Sequence, residues 1–142
     1  MTTSGSRRSL VTCAAFASLL SAAGNGFIYL VCYITGIIPW NMLSPGRGVS
    51  LTPKLVTLVS IGGALGGTAI YAILKRYSSN PVGRFRMYAG LVLLLSFGAP
   101  LLIDTFTTPL VIALDLMHVV VYVSTVYALT VWPEPARITA TA

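Results

Sequence analysis

Charged side chains interrupt this chain so rarely that four long apolar blocks stand out: Leu10 to Pro39, Leu55 to Leu74, Met87 to Ile103 and Leu110 to Trp132. Crossing about 30 Å of hydrocarbon takes about 20 helical residues, with a working range near 17 to 25. All four blocks meet that length, the third at its short end with Arg86 reaching back to the interface. Transmembrane strands need apolar and polar positions in alternation, and Leu91-Val92-Leu93-Leu94-Leu95 does not alternate. The pattern predicts helices over about 10–35, 54–75, 86–103 and 110–132. They form an all-α, integral membrane four-helix bundle, one transmembrane domain covering 1–142. A soluble bundle is disfavoured, because four helices without a polar face leave no side for water.

The connections are short. Residues 36–52 hold Pro39, Pro45, Gly46 and Gly48 and read as a loop with Trp40 as an interface anchor. Thr52 before Pro53 has the form of a helix cap. Ser78-Ser79-Asn80-Pro81 marks a turn over 77–84, residues 104–108 a tight turn, and 133–142 a frayed tail. Pro100, after Gly98, is expected to kink the third helix by leaving the Ser96 carbonyl without its backbone partner.

Composition sharpens the picture. Of 142 residues, 56% are hydrophobic and 8% charged, against roughly 25% charged in soluble domains. Disorder, coiled coils and most soluble folds are excluded. The net charge of +6 is a matter of placement. With the N-terminus inside, Arg7, Arg8, Lys75, Arg76, Arg84, Arg86 and Arg137 face the cytoplasm, and only Arg47 and Lys54 lie outside. Both termini are then cytoplasmic, in the cytoplasmic membrane of a bacterium. The charge is a topology signal toward an anionic leaflet, and no nucleic-acid partner is expected. Ser6-Arg7-Arg8-Ser9-Leu10 and Ser21-Ala22-Ala23 resemble parts of a signal peptide. The apolar run continues to Ile38, beyond the roughly 7 to 15 residues of a signal core, so the first helix is expected to stay uncleaved.

Within the blocks, polar and small residues are few enough to matter individually. Gly62 with Gly66 and Gly63 with Gly67 form two overlapping small-residue pairs, suited to helix packing within the bundle or between copies. Asp115, His118 and Tyr122 share one helix face, which Thr125 extends. An acid at membrane depth costs about 2.5 to 3.5 kcal/mol when central, so Asp115 is expected to face the bundle and pair. The first helix offers Ser18, Ser21, Asn25 and Tyr29 at helical spacing. Asn25 and Tyr29 lie at the depth of Asp115 and His118, which predicts a buried polar cluster of these residues.

Three readings of that cluster stay open: a structural clip, a proton relay or cation or ligand site of a small carrier, and part of an intramembrane enzyme site. The Asp–His pair lacks a serine on its face, since Ser124 points elsewhere, and a second carboxylate at that depth. No metal or cofactor is expected, because His-Glu-x-x-His and Cys-x-x-Cys are both missing. Cys13 and Cys32 are about 28 Å apart along one helix and cannot pair.

Arg7-Arg8, the Asn25 region, the basic stretch Lys75 to Arg86 and above all Leu116-Met117-His118-Val119-Val120 resemble a family of small, uncharacterised four-helix integral membrane proteins common in actinobacteria. The likeness covers 7–132. It implies the architecture and no activity, and it marks His118 as the position to test first. Small multidrug transporters are similar in size and helix count, but they carry their essential acid in the first helix, where this chain has Asn25. The expected function is therefore a structural or accessory membrane component, with an ion-coupled transporter as the alternative and an intramembrane enzyme as the least supported. The expected partners are the lipid bilayer and either further copies of the chain or a larger membrane complex.

Overall fold

The computed structural model describes residues 9–38, 51–98, 100 and 106–132. Among them are four helices: α1 (Leu10–Ile34), α2 (Pro53–Tyr77), α3 (Pro81–Ser96) and α4 (Thr108–Thr130). The segments around Trp40, Arg47 and Asp104, the Arg7-Arg8 start and the tail lie outside the described residues.

Local chemistry sets most of the helix ends. The Ser9 hydroxyl accepts from the Thr12 amide at 3.1 Å and starts α1. Thr52 accepts from the Leu55 amide at 3.2 Å, with Pro53 in the first helical turn, so α2 begins where a cap and a proline coincide. Asn80 and Pro81 repeat the device: Asn80 Oδ1 accepts from the Gly83 amide at 3.0 Å. That pair starts α3 five residues before the expected boundary at 86, since a cap followed by proline begins a helix as readily as it marks a turn.

At its other end α3 stops at Ser96, seven residues short of 103. The last turns close through Phe97 N–H to Leu93 O and Gly98 N–H to Leu95 O, both at 3.3 Å. Pro100 therefore follows the helix instead of kinking it, and the expected break becomes a stop.

The helices alternate in direction. Cys13 from the start of α1, Tyr71 from the end of α2, Phe85 from the start of α3 and Leu129 from the end of α4 form one buried cluster. Tyr29, Cys32, Val56, Leu110 and Ala113 form another at the opposite end. Ala17, Ala64 and Ala128 meet between them. Residues this small let the three helices approach closely. α1 packs on α2 and α4, and α3 rests against α2 and α4. Phe85 is the one buried side chain of α3, and its ring tilts against Tyr71 at 5.1 Å.

Three of these helices, α1, α2 and α4, are long and apolar enough to cross a membrane. α3 has 16 residues, about 24 Å at helical rise.

The glycines of α2 divide into two kinds. A Cβ on Gly63 would lie 3.0 Å from Val121 Cγ1, and one on Gly67 2.8 Å from Thr125 Cγ2. A Cβ on Gly62 or Gly66 would meet nothing within 4 Å. On α1, a Cβ on Gly24 would lie 2.7 Å from Val120 Cγ1. Gly67→Ala and Gly24→Ala should each lower stability in detergent by about 1 to 3 kcal/mol through overpacking. Gly62→Ala and Gly66→Ala should be neutral or gain up to about 1 kcal/mol from helix propensity. Thermal unfolding followed by circular dichroism separates the two classes, and equal losses at all four positions would contradict the assignment.

Candidate functional site

The buried stripe of α1 includes Ala17, Ser21, Asn25 and Tyr29, one residue per helical turn. On α2 the corresponding stripe is Val56, Ser60, Ala64 and Thr68. Where they meet, Asn25 Nδ2 donates to Ser60 Oγ at 2.8 Å, and both residues are buried. The Ser60 hydroxyl donates to the Val56 carbonyl one turn back at 2.7 Å. Its proton is thereby engaged, and its lone pairs are left to receive the Asn25 amide. The Tyr29 hydroxyl donates to the Leu51 carbonyl at 3.3 Å, just ahead of α2. Asn25 and Tyr29 of α1 are thus tied to α2 and the segment leading into it.

The α4 residues face another way. Val120 lies against Gly24 of α1, while Val121 and Thr125 lie against Gly63 and Gly67 of α2. His118 and Tyr122 then line a cavity of about 230 Å³ between α2, α3 and α4. A smaller cavity of about 130 Å³ is lined by Asn25, Ser60, Met117 and His118 among others. His118 borders both. Its Nδ1 is 2.8 Å from the Leu114 carbonyl, which can only accept, so Nδ1 carries the proton. In the neutral ring Nε2 is then a bare acceptor.

Of the five expected cluster residues, the fold brings Asn25 and His118 onto one cavity and His118 and Tyr122 onto another. It does not join Asn25 or Tyr29 to Asp115 by a hydrogen bond. Asp115 is partly buried, and its Oδ1 has no hydrogen-bond partner among the described residues. Ser18 Oγ, Ser21 Oγ, Asn25 Oδ1 and Thr125 Oγ1 are in the same state. At the other end of α4, Arg86 of α3 donates through Nε and Nη2 to Thr130 Oγ1, at 3.3 and 3.1 Å.

Ser60 was missed by sequence reasoning, although its spacing with Val56, Ala64 and Thr68 was available as a signal. The α3-lined cavity was missed too. Among the described residues no group of three or more His, Cys, Asp or Glu is placed to hold a metal ion.

An all-α fold with three membrane-length apolar helices, polar residues buried between them and glycine contacts at the seams is that of a multi-pass membrane protein. Residues 5–133 match DUF6069, a family of unknown function, and the chain belongs to that family. No curated protein matches the chain, and neither does any solved structure.

A double-mutant cycle tests the tie between α1 and α2. Asn25→Ala and Ser60→Ala should couple by about 0.6 kcal/mol, with roughly 1.7 as an upper bound for interhelical hydrogen bonds in membranes. Asn25→Ala and Asp115→Ala should be additive within about 0.5 kcal/mol. Coupling of the second pair and additivity of the first would reverse the geometry described.

Proposed function

We propose that this chain is a structural or accessory component of the bacterial cytoplasmic membrane, acting as a subunit of a larger membrane assembly. The observation that carries the reading is the use made of the polar side chains of α1. Asn25 and Tyr29 are tied to Ser60 and Leu51. They hold helices together, and although Asn25 borders one cavity with His118, neither residue shares a hydrogen bond with Asp115 or His118. Gly62 and Gly66, where an added Cβ would meet nothing within 4 Å, leave room for an approach by another helix.

Both termini face the cytoplasm in this reading, and the chain crosses four times. α2 ends and α4 ends at the same end of the molecule, so α3 and the residues after it return the chain between them. A helix of 16 residues is short for the purpose, and local thinning of the bilayer or arginines reaching for the interface accommodate the mismatch. Lys75, Arg76 and Arg84 sit at the α2–α3 end, as the positive-inside rule requires of a cytoplasmic turn. The distribution in actinobacteria belongs to the same reading.

One observation favours a second reading, an ion-coupled transporter. His118 borders two cavities with an acceptor nitrogen to spare, and Asp115 is three residues away with an unpaired oxygen. Intramembrane acids left in this state commonly mark ion pathways.

Topology is checked with Ser79→Cys in a Cys13→Ala, Cys32→Ala background. A membrane-impermeant maleimide should label it in inverted vesicles and not in intact cells. Labelling in intact cells would place the α2–α3 turn outside. The functional class is checked by mild-detergent purification with mass spectrometry of wild type and Asp115→Asn. A protein partner retained stoichiometrically by both supports the accessory reading. Loss of proton-coupled uptake in proteoliposomes of a correctly assembled Asp115→Asn variant would replace it with the transporter.

A further inference from the structure

The larger cavity has a shape and a setting that the accessory reading does not use. It follows α2 from Val59 to Ile70 and α3 from Phe85 to Ser96. Each stretch runs about 16 Å at helical rise, close to the roughly 15 Å of one leaflet's hydrocarbon. The cavity is therefore a slot parallel to the helix axes. Its origin is the loose seating of α3, in which Phe85 is the one buried side chain. The slot's walls are almost wholly apolar and its volume is about 230 Å³. A single hydrocarbon chain is the kind of body that fits.

The end of the slot at Phe85 and Ile70 adjoins the basic end of the molecule. Lys75 and Arg76 occupy the last turn of α2, and Arg84 and Arg86 flank Phe85 at the start of α3. All four are exposed, and no acidic side chain among the described residues stands at that end. Arg86 is held in place by its two hydrogen bonds to Thr130. Basic pockets between transmembrane helices are recognised sites for anionic headgroups, and each cation near the surface adds to the attraction. An apolar slot of leaflet length that begins beside four cations matches one class of molecule in both of its parts.

We propose that the slot between α2, α3 and α4 binds one acyl chain of an anionic phospholipid, with the phosphate headgroup at Arg84 and Arg86. The bound chain takes the place of the side-chain packing that α3 lacks above Phe85. This inference is independent of the accessory role and uses neither Asp115 nor the tie at Asn25.

The test is native mass spectrometry of the full chain in mild detergent, titrated in parallel with phosphatidylglycerol and phosphatidylcholine. One phosphatidylglycerol per chain should be retained, at least about tenfold more tightly than phosphatidylcholine. Ala89→Phe fills the slot and should remove that retention. Val92→Phe, at a more exposed position of the same wall, serves if the first variant loses helicity. Arg84→Gln with Arg86→Gln should abolish the preference between the two lipids while leaving weak retention of both. Equal retention of the two lipids by wild type would overturn the proposal. So would unchanged retention in a helical slot-filling variant, or a dimer that the slot-filling variant dissolves, since the occupant would then be a second copy.

Discussion

The rotation of α4 about its own axis determines where every polar residue on it points, and glycine contacts set that rotation. Val120 is received by Gly24, and Val121 and Thr125 by Gly63 and Gly67. β-Branched side chains have one preferred rotamer on a helix and do not swing aside. A helix whose stiff side chains sit opposite glycines on two different neighbours cannot turn without losing contact with one of them. With Val120 toward α1 and Val121 toward α2, His118 and Tyr122 are carried around to the side where α3 stands. Asp115 therefore shares no hydrogen bond with Asn25. Its direction is a consequence of small-residue packing, not of any partner of its own.

Two polar groups of α1, Asn25 Nδ2 and the Tyr29 hydroxyl, find partners off α4, and such ties matter because unpaired hydrogen-bonding groups in hydrocarbon cost several kcal/mol. Ser60 and the Leu51 carbonyl supply them. Serine suits the place: its proton returns to its own helix at Val56, so it adds no unpaired donor, and its small side chain keeps α1 and α2 close. The tie joins the helices that packing already favours. It selects their relative register, since a shift by one residue on either helix would swing Asn25 or Ser60 out of the contact.

Much of this order could be read from the chain. The four apolar blocks locate four helices, and of Ser18, Ser21, Asn25 and Tyr29, expected at helical spacing on one face, Ser21, Asn25 and Tyr29 are buried and Ser18 is half-buried. The glycine face of α2 was recognised as such, but which pair would meet another helix depends on the side from which α4 approaches, and that is long-range information. The same limit explains the expected cluster. Depth can be counted along a helix, which is how Asn25 and Asp115 come to be expected at similar depth, but azimuth depends on neighbours, and the valines of α4 set it. The early start of α3 is a different kind of miss. Asn80-Pro81 is a local signal that serves both a turn and a helix start, and the choice goes to the helix because Phe85 has Tyr71 to pack against.

α3 is the element on which these constraints bear least. It carries one buried side chain, it ends before Pro100, and its one contact with a glycine of a neighbouring helix among those described is the ordinary one of Phe85 with Gly67, at 3.9 Å from a Cβ placed there. Leu91, Val92, Leu94 and Leu95 are more than half exposed. In water such a helix would be a defect, but in the four-span reading proposed above its exposed leucines are solvated by lipid and little is lost by leaving them unpacked. α3 can then be anchored at one end by Phe85 and Arg86 and leave a slot along the rest. α1, α2 and α4 pack on one another through their buried faces, and α3 forms one wall of the slot.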